Sequence, residues 1–304
     1  MTAFDHGDGV YSVIGGPFPL CNTLVVLGDE LTVIDPGCAI EDLRVFLHAQ
    51  NRELRNIDTV ILTHIHPDHI THAVRLNRLS RCRIAANETT APLFDRKEDM
   101  KRFLGFVPGH PIRPHWEDLV NKRMYGALEE GSVDEVLRNH DKFALGNLTL
   151  EVMYTPGHTA DHMCIEITGS RRLILGADID CTEFGPFYGH PTSSITDFRH
   201  SIAEIKERNY DALISGHLKQ PEVKDYRAAL TAYDRQFDLR EELVCASIGN
   251  GATSVDEITR NPLIYPSLAN VVYLQFEKWM IEKHVQSLLE KGLVIKQQDR
   301  LSPA

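Results

Sequence analysis

The order of strand-like and helix-like segments predicts a layered α/β domain. Short apolar or β-branched runs alternate with segments of helical periodicity in the first 80 residues, and a second strand-rich half begins at residue 148. Strands that interleave with helices in both halves are typical of sheets covered by helices. Charge and proline content set two further regions apart, at 91–140 and from residue 233 onward.

Turn residues mark the ends of the first two predicted strands in the first half. The runs 24–27 and 31–34 are separated by Gly28-Asp29-Glu30, which predicts a β-hairpin, and Asp35-Pro36-Gly37 ends its second strand. Apolar residues at helical spacing predict a helix at 41–51, and a second helix is predicted at 71–79. An apolar run between them predicts a buried strand at 59–62. In the second half, apolar runs predict strands at 148–153, 163–167, 173–175 and 212–214. A helical pattern predicts a helix at 196–208.

The segment 91–140 is predicted to be an inserted helical cap. It is rich in charge, contains four prolines that break helices before residue 115, and has helix-like pieces at 116–128 and 133–139. Its large apolar residues either line a site for an acyl substrate or form the cap's own core: Phe94, Phe103, Leu104, Phe106 and Trp116.

The tail is predicted to be a small winged-helix-like domain at 233–304, after a catalytic domain at 1–232. A helix at 239–248, a capping box of Ser254 and Glu257, a long helix at 268–291 and a strand at 293–295 follow one another. The tail carries eight Lys and Arg against ten Asp and Glu. This balance favours a structural or dimerisation module over DNA recognition.

Composition disfavours several classes of protein. The net charge of −11 disfavours nucleic acid as a partner, because that affinity comes mainly from neutralised phosphates. No run of eighteen apolar residues and no basic-then-apolar N-terminus occurs, so we expect a cytoplasmic protein without a membrane partner. The six cysteines form no C-x-x-C pair and are expected to be buried, reduced thiols. Oligomeric state stays open, and a homo-oligomer is compatible with the sequence.

The strongest chemical motif follows the predicted strand at 59–62. Three histidines and an aspartate, His64, His66, Asp68 and His69, fall within six residues. Neutral imidazole and carboxylate are the usual ligands of zinc and similar divalent ions. We expect a loop here, because Pro67 disfavours a helix, and His64 and His66 should point to the same side of an extended chain.

Three further candidate ligands also follow predicted strands. His158 lies in Pro156-Gly157-His158-Thr159, Asp178 in Gly176-Ala177-Asp178 and His217 in Ser215-Gly216-His217. The ends of strands are where α/β folds collect functional groups, and the adjacent glycines let the backbone turn. His72 and His162 lie near these motifs and are expected to support the site or face the surface.

H-x-H-x-D-H, P-G-H-T, G-A-D and S-G-H, in this order, resemble the motifs of the metallo-β-lactamase superfamily over about residues 10–230. The resemblance implies an α+β fold, a four-layer αββα sandwich with the site at one edge. It also implies two divalent ions. Zinc is the leading candidate, and iron and manganese fit the same ligands.

The resemblance implies a role for each motif residue. His64, His66 and His158 would hold one ion, Asp68, His69 and His217 would hold the other, and Asp178 would bridge the two. Asp35, in Ile34-Asp35-Pro36-Gly37, would orient a ligand loop without binding metal. Ile70-Thr71 stands where the family often has Gly-Gly or Ala-Gly, which affects loop packing more than ligation. His66 stands where the flavodiiron branch has glutamate, which favours a hydrolase.

The predicted function is hydrolysis of a carboxylic ester, lactone or thioester of a small acyl molecule by a hydroxide shared between two ions, with Asp68 as the proton donor. Tyr188 and His190 follow the bridging aspartate and either contact substrate or pack a loop. Two alternatives remain open, an endoribonuclease that cleaves RNA phosphodiesters and a mononuclear iron dioxygenase acting on thiols or persulfides. Fold and ligands alone do not choose among these substrates.

Overall fold

Two β-sheets packed face to face form the centre of the computed structural model, which describes residues 3–16 and 20–304. Consecutive strands neighbour one another within each sheet. The first sheet contains Ala3–Gly7 (β1), Val10–Val13 (β2), Thr23–Leu27 (β3), Leu31–Ile34 (β4), Thr59–Leu62 (β5), Arg83–Asn87 (β6) and Glu135–Leu137 (β7). The second contains Lys142–Leu145 (β8), Leu148–Tyr154 (β9), Met163–Thr168 (β10), Arg172–Ala177 (β11), Ala212–Ser215 (β12) and Glu222–Val223 (β13).

Helices cover the outer face of each sheet. The first sheet is covered by Ile40–Ala49 (α1), Pro67–Ile70 (α2), Ala73–Ser80 (α3), Thr90–Asp95 (α4), Lys97–Phe103 (α5) and Arg113–Arg123 (α6). The second is covered by Ile195–Glu207 (α7) and by the first half of Tyr226–Gly249 (α8). The chain ends with Val255–Ile258 (α9), Val271–Glu290 (α10), Val294–Gln297 (β14) and Arg300–Pro303 (β15). The αββα order of layers confirms the predicted fold class.

Alternation of side chains along the strands explains the layers. In β3, Leu24 and Val26 point into the core between the sheets, whereas Val25 packs under the helices of the first sheet. In β5, Ile61 points inward and its neighbours Val60 and Leu62 point outward. Both faces of these strands are buried, which is why their sequences are unbroken apolar runs.

One predicted helix is a strand. Residues 133–139 have apolar residues at helical spacing, but Glu135–Leu137 pairs in parallel with β6, at the edge of the first sheet. Leu137 is buried between the sheets while Val136 is largely exposed. Tertiary pairing with β6 therefore decides the conformation, and the helical spacing is coincidental.

The cap consists of α4, α5 and α6, and its aromatic residues share a core with the first sheet. Phe94, Phe106 and Trp116 are buried, and the rings of Phe106 and Trp116 stack with their centres 4.4 Å apart. The same core includes Phe276 and Trp279 of α10. The cap is thus packed against both the catalytic sheet and the C-terminal helices.

The C-terminal helices are continuous with the sandwich. α8 runs through residues 232 and 233, where the sequence placed a domain boundary, and its first half packs on the second sheet. Its second half joins α9, α10 and the β14–β15 hairpin around a small core of their own. A separate winged-helix-like domain stays a prediction. Within the described ranges, no helix is both long and apolar enough to span a membrane.

The six cysteine thiols are free, as expected. Four are buried, whereas Cys181 and Cys245 are partly exposed.

A buried lysine in the cap gives the fold a pH dependence. Lys97 is 4% exposed, its ammonium lies 4.1 Å from the centre of the Phe94 ring, and it has no hydrogen-bond partner in the described part of the chain. Burial lowers the pKa of Lys97 to about 7. Between that pH and the ordinary lysine pKa of about 10.4, only the unfolded state binds the proton, so stability rises with pH across this window.

We expect Lys97→Met to raise the free energy of unfolding by about 1–3 kcal/mol near pH 6, because it removes a charge that is buried without a partner. The gain should shrink as pH rises from about 7 toward about 10, because the lysine is then already neutral in the folded protein and increasingly loses its proton in the unfolded state as well. Urea denaturation at several pH values measures this difference. Lys122→Met, at an exposed lysine paired with Asp118, is the control and should show no such slope. A gain that does not change with pH would contradict the prediction.

Candidate metal centre

Loops at the ends of five strands converge at one edge of the sandwich. Asp35 follows β4 and the His64 loop follows β5, in the first sheet, and these two strands are parallel. Asp178 follows β11 and His217 follows β12, which are parallel in the second sheet, and His158 follows β9. Parallel strands bring their carboxyl ends to the same edge, so side chains distant in sequence meet there.

Two groups of potential metal ligands lie side by side at this edge. The first group is His64, His66, His158 and Asp178, and the second is Asp68, His69 and His217; in each, the ligand atoms lie within 4.8 Å of one another. All seven residues singled out from the sequence are therefore brought together.

The carboxylate of Asp178 connects the two groups. Its Oδ2 lies 3.0 Å from Nε2 of His158 and 3.8 Å from Nε2 of His64. Its Oδ1 lies 2.8 Å from Nε2 of His69 and 3.1 Å from Nε2 of His217. One oxygen thus faces each group, so this carboxylate could contact a cation held in either one.

Hydrogen bonds turn the histidine rings toward the centre. His69 Nδ1 lies 2.9 Å from Asp35 Oδ2, and His158 Nδ1 lies 2.9 Å from the carbonyl of Phe187. A proton on each Nδ1 leaves the lone pair of Nε2 facing the other ligands. The Nε2 atoms of His64 and His69 are buried and have no hydrogen-bond partner among the described residues. Buried nitrogens without partners, directed at carboxylate oxygens, fit a bound cation.

Asp35 supports the ligand loop, which is the role that the motif resemblance implies for it. Its carboxylate accepts hydrogen bonds from the backbone N–H of Thr63 at 2.8 Å and from the Thr63 hydroxyl at 2.7 Å, besides the contact with His69. Asp35 has a φ of 52° and is 3% exposed. It therefore fixes both the start of the ligand loop and the orientation of one ring, without touching the centre itself.

The ligand loop contains one helical turn, which the sequence argument about Pro67 excluded. Pro67 is the first residue of α2, with His66 as the preceding cap residue. Proline is tolerated in the first turn, because its missing N–H would have no partner inside the helix there. The turn carries Asp68 and His69 away from His66 and toward the second group.

Asp161 is a supporting residue that the sequence analysis did not single out. Its Oδ2 accepts a hydrogen bond from the backbone N–H of Ile65, between His64 and His66, and another from the Thr90 hydroxyl, both at 2.8 Å. The signal available in the sequence was its place three residues after His158, in a segment with no apolar pattern. Asp161 is 2% exposed and holds the loop at Ile65, whereas Asp35 holds it at Thr63.

The histidines near the motifs lie outside the two ligand groups. His162 is buried, and its Nε2 accepts a hydrogen bond from the backbone N–H of Asp178 at 3.2 Å. His162 thus positions Asp178, in line with the supporting role expected for it. His72 precedes α3 and takes no part in either group.

Glycine next to His158 is required by packing. Gly157 has a φ of 134°, and a side chain at this position would collide with the backbone of Phe198 in α7. The glycine therefore lets the His158 loop rest directly on the helix that covers the second sheet.

Electrostatics suit a divalent cation at this centre. Burial lowers the pKa of His64 well below its usual range, so its ring is neutral and can act as a ligand. Burial also lowers the pKa of His217, but the carboxylates of Asp178 and Asp68 outweigh it and raise that pKa to about 9. Burial raises the pKa of Asp178, but His69, His158 and His217 outweigh it and keep the group a carboxylate. A cation would replace the proton that these carboxylates draw onto His217.

The two residues predicted to contact substrate, Tyr188 and His190, differ in their access to the cavity above the centre. Tyr188 is fully buried, its hydroxyl lies 2.7 Å from Nε2 of His284, and it does not line the cavity above the centre. The predicted substrate contact by Tyr188 is therefore wrong, because His284 of α10 and Phe237 of α8 cover its side chain. His190 lines the cavity, with its ring centre 4.7 Å from that of His66 and its Nδ1 held by the Leu104 carbonyl at 2.9 Å. Its contact with substrate stays a prediction.

A cavity of about 650 Å³ opens above the centre. Its floor includes His66, Asp68, Asp178 and His217, and its walls are mainly aromatic and aliphatic. A group of histidines and aspartates able to bind metal thus lies at the base of an apolar pocket, the usual form of a site for a small molecule.

Comparison with known proteins agrees with this geometry. The profile described as the metallo-beta-lactamase superfamily matches residues 16–217. An uncharacterized protein of Mycobacterium leprae is 30% identical over 162 residues, which are 52% of this chain and 67% of that protein. A hydroxyacylglutathione hydrolase of Rhizobium johnstonii is 24% identical over 161 residues, 52% of this chain, and the match spans only 47% of that enzyme.

Solved structures share the fold over the whole chain. A crystal structure of a beta-lactamase domain protein from Burkholderia ambifaria superposes with a TM-score of 0.77 at 17% identity, covering 99% of this chain and 94% of that one. The superfamily profile covers well over half of the sequence, and all four motifs meet at one centre. The chain therefore belongs to the metallo-β-lactamase superfamily and is one of its metal-dependent hydrolases.

Proposed function

We propose that the protein is a binuclear hydrolase of a small carboxylic ester, lactone or thioester. His64, His66 and His158 would hold one ion, and Asp68, His69 and His217 would hold the other. The observation that carries the proposal is the bridging position of Asp178, whose two oxygens face the two groups at 2.8–3.8 Å. The donor set of imidazoles and carboxylates suits zinc, and also iron or manganese.

Two such ions, when bound, supply a nucleophilic hydroxide near neutral pH and polarise the substrate carbonyl. The residues of the chain provide position and proton transfer. Asp178 sets the separation of the two groups, and Asp35 and Asp161 hold the ligand loop at two points. Asp68 lines the cavity as well as the second group, so its carboxyl group can deliver a proton to the leaving oxygen or sulfur.

The cavity and the charge of the chain support an acyl substrate over RNA. The walls are mainly apolar, and the net charge is −11, whereas a site for RNA needs cationic surface for the phosphates. One relative is named for hydrolysis of a hydroxyacylglutathione, which is a thioester. Asp68, His69 and His217 together form a second complete group of ligands, which favours two ions over a mononuclear iron site.

Elemental analysis of protein purified without added metal tests the proposal directly. We expect about two zinc ions per chain and hydrolysis of a lactone or a thioester by the same sample. Asp178→Asn should lower metal content to about one ion or none and reduce activity by at least about 100-fold, because one ligand oxygen of the bridge is lost. Asp95→Asn, at an exposed carboxylate of the cap, is the matched control and should change neither quantity.

The other outcomes select other functions. RNA cleavage without acyl hydrolysis would identify an endoribonuclease, and one iron per chain with oxidation of a thiol would identify a dioxygenase. Protein that holds no metal, and takes up none when zinc is added, would overturn the ligand assignment.

Asp35→Asn should weaken metal binding at the second group by about 10- to 100-fold. The neutral amide of asparagine would accept the hydrogen bond from His69 Nδ1 more weakly than the carboxylate does, so the ring would be oriented less firmly. The first group should lose less affinity, since Asp35 reaches its member His64 only through the Thr63 hydroxyl. Competition with a chelator, followed by elemental analysis, separates the two ions. Equal weakening of both ions would contradict this prediction and indicate a general loss of structure.

A further inference from the structure

The cavity above the metal centre is closed by parts of the chain that lie outside the two sheets. Helix α6 of the cap contributes Trp116 and Arg123, and the C-terminal segment contributes Tyr265, Ala269, Tyr273 and Phe276. The loop after Asp178 contributes Phe184 and Phe187. The substrate therefore meets surfaces that the superfamily motifs do not include.

A buried glutamate fixes the C-terminal wall. Glu277 of α10 is fully buried, and its carboxylate accepts hydrogen bonds from the backbone N–H groups of Leu263, Ile264 and Tyr265 at 2.7–3.1 Å. Three donors satisfy the buried charge and hold the segment in one conformation. Tyr265 then stacks on Tyr273, with ring centres 5.4 Å apart and planes 13° apart. The aromatic wall is thus preorganised.

The C-terminal helices also hold the loop after Asp178. The guanidinium of Arg240 in α8 donates to the carbonyls of Phe184 and Pro186. Lys283 of α10 donates to the carbonyl of His190 at 2.7 Å. Tyr233 of α8 donates to the backbone carbonyl of Asp178 at 3.1 Å. The tail is therefore a structural part of the active-site cavity.

Arg123 is the one lysine or arginine among the described residues that line this cavity. Arg123 is exposed in the last turn of α6, and no carboxylate of the described residues lies within ion-pair distance of it. Its neighbour Lys122 differs, because it pairs with Asp118 at 2.7 Å and does not line the cavity. A guanidinium that faces a cavity without a protein partner is available to an anionic group of a ligand.

We propose that the substrate is an anionic thioester or ester with an apolar acyl chain, in which the chain lies against Tyr273, Phe276 and Trp116 and the anionic group pairs with Arg123. This inference rests on the proposed acyl hydrolysis. In the reaction, water adds its oxygen to the acyl carbon, the bond from that carbon to sulfur or oxygen breaks, and the leaving atom takes a proton. The products are a fatty acid and an anionic thiol or alcohol.

Four thioesters separate the two features of the proposal. Acetyl and octanoyl groups are each joined to N-acetylcysteamine, which is neutral, and to 3-mercaptopropionate, which is anionic. The metal-loaded enzyme should favour octanoyl over acetyl in kcat/KM by about tenfold or more, because each buried methylene contributes favourably. It should favour the anionic over the neutral leaving group by about fivefold, as expected for a partly exposed ion pair.

Variants assign these preferences to residues. Arg123→Gln should remove the preference for the anionic thioester and leave the neutral one within about twofold, whereas Lys122→Gln should behave as the parent enzyme. Ala269→Phe adds a ring at an exposed position of the wall, so it should reduce turnover of octanoyl substrates by about tenfold and spare acetyl ones. Tyr125→Phe, at an exposed tyrosine outside the cavity, is the control for Ala269→Phe.

A binding measurement separates this inference from the proposed function. The probe 8-anilinonaphthalene-1-sulfonate combines an apolar body with one negative charge, and its fluorescence reports binding without any hydrolysis. Arg123→Gln and Ala269→Phe should each weaken its binding by about fivefold, and Lys122→Gln should not.

The outcomes are distinct. Acyl hydrolysis with no preference for chain length or charge would overturn the substrate assignment and leave the proposed function intact. Probe binding that depends on Arg123 and Ala269, without hydrolysis of any thioester, would overturn the proposed function and support the cavity as a site for anionic apolar ligands. Probe binding that none of the variants changes would overturn the assignment of the cavity.

Discussion

The carboxylate of Asp178 is the interaction on which the site depends. It stands between two sets of histidines, and each oxygen faces one set at hydrogen-bond or near hydrogen-bond distance. A charge buried in this way is costly unless it is matched, and three surrounding imidazoles or two cations match it. The loops that end β5, β9, β11 and β12 all reach toward this one group. The two sheets must therefore pack in a single relative position for the centre to form.

Support for the centre comes from buried acids that hold the ligand loop at two points. Asp35 holds Thr63 and His69, and Asp161 holds Ile65 and Thr90. Each side chain satisfies backbone N–H groups that would otherwise be buried without partners, so the loop has little freedom to move. The same device recurs in the tail, where Glu277 fixes the segment that carries Tyr265. Buried carboxylates with several donors thus position both the metal centre and the wall of the cavity.

The cap and the tail act together on the cavity above the centre. Phe106, Trp116, Phe276 and Trp279 share one core, so α6 and α10 are coupled although 150 residues separate them in sequence. Arg240 and Lys283 tie the loop after Asp178 to the tail. Recognition of substrate is therefore expected to vary with these added elements, while the chemistry stays with the motif residues. This division explains how one metal centre can serve a superfamily of different substrates.

The sequence by itself determined the α/β character, most strands and helices and the ligand cluster at 64–69, because apolar periodicity and closely spaced ligands are local properties. The αββα layers and the ligand roles of His158, Asp178 and His217 were implied by the order of the four motifs, which resembles that of the superfamily. The supporting role of Asp35 was likewise implied by the resemblance, through the segment 34–37 at the end of a strand. The role of Asp161, the strand at 135–137 and the burial of Tyr188 were decided by tertiary structure, since each depends on a partner distant in the chain. Tertiary structure also decided that α8 continues through residue 233 and that tail residues line the cavity. Local sequence patterns encode which residues can bind a metal, but only packing of the cap, the sheets and the tail decides which surfaces a substrate meets.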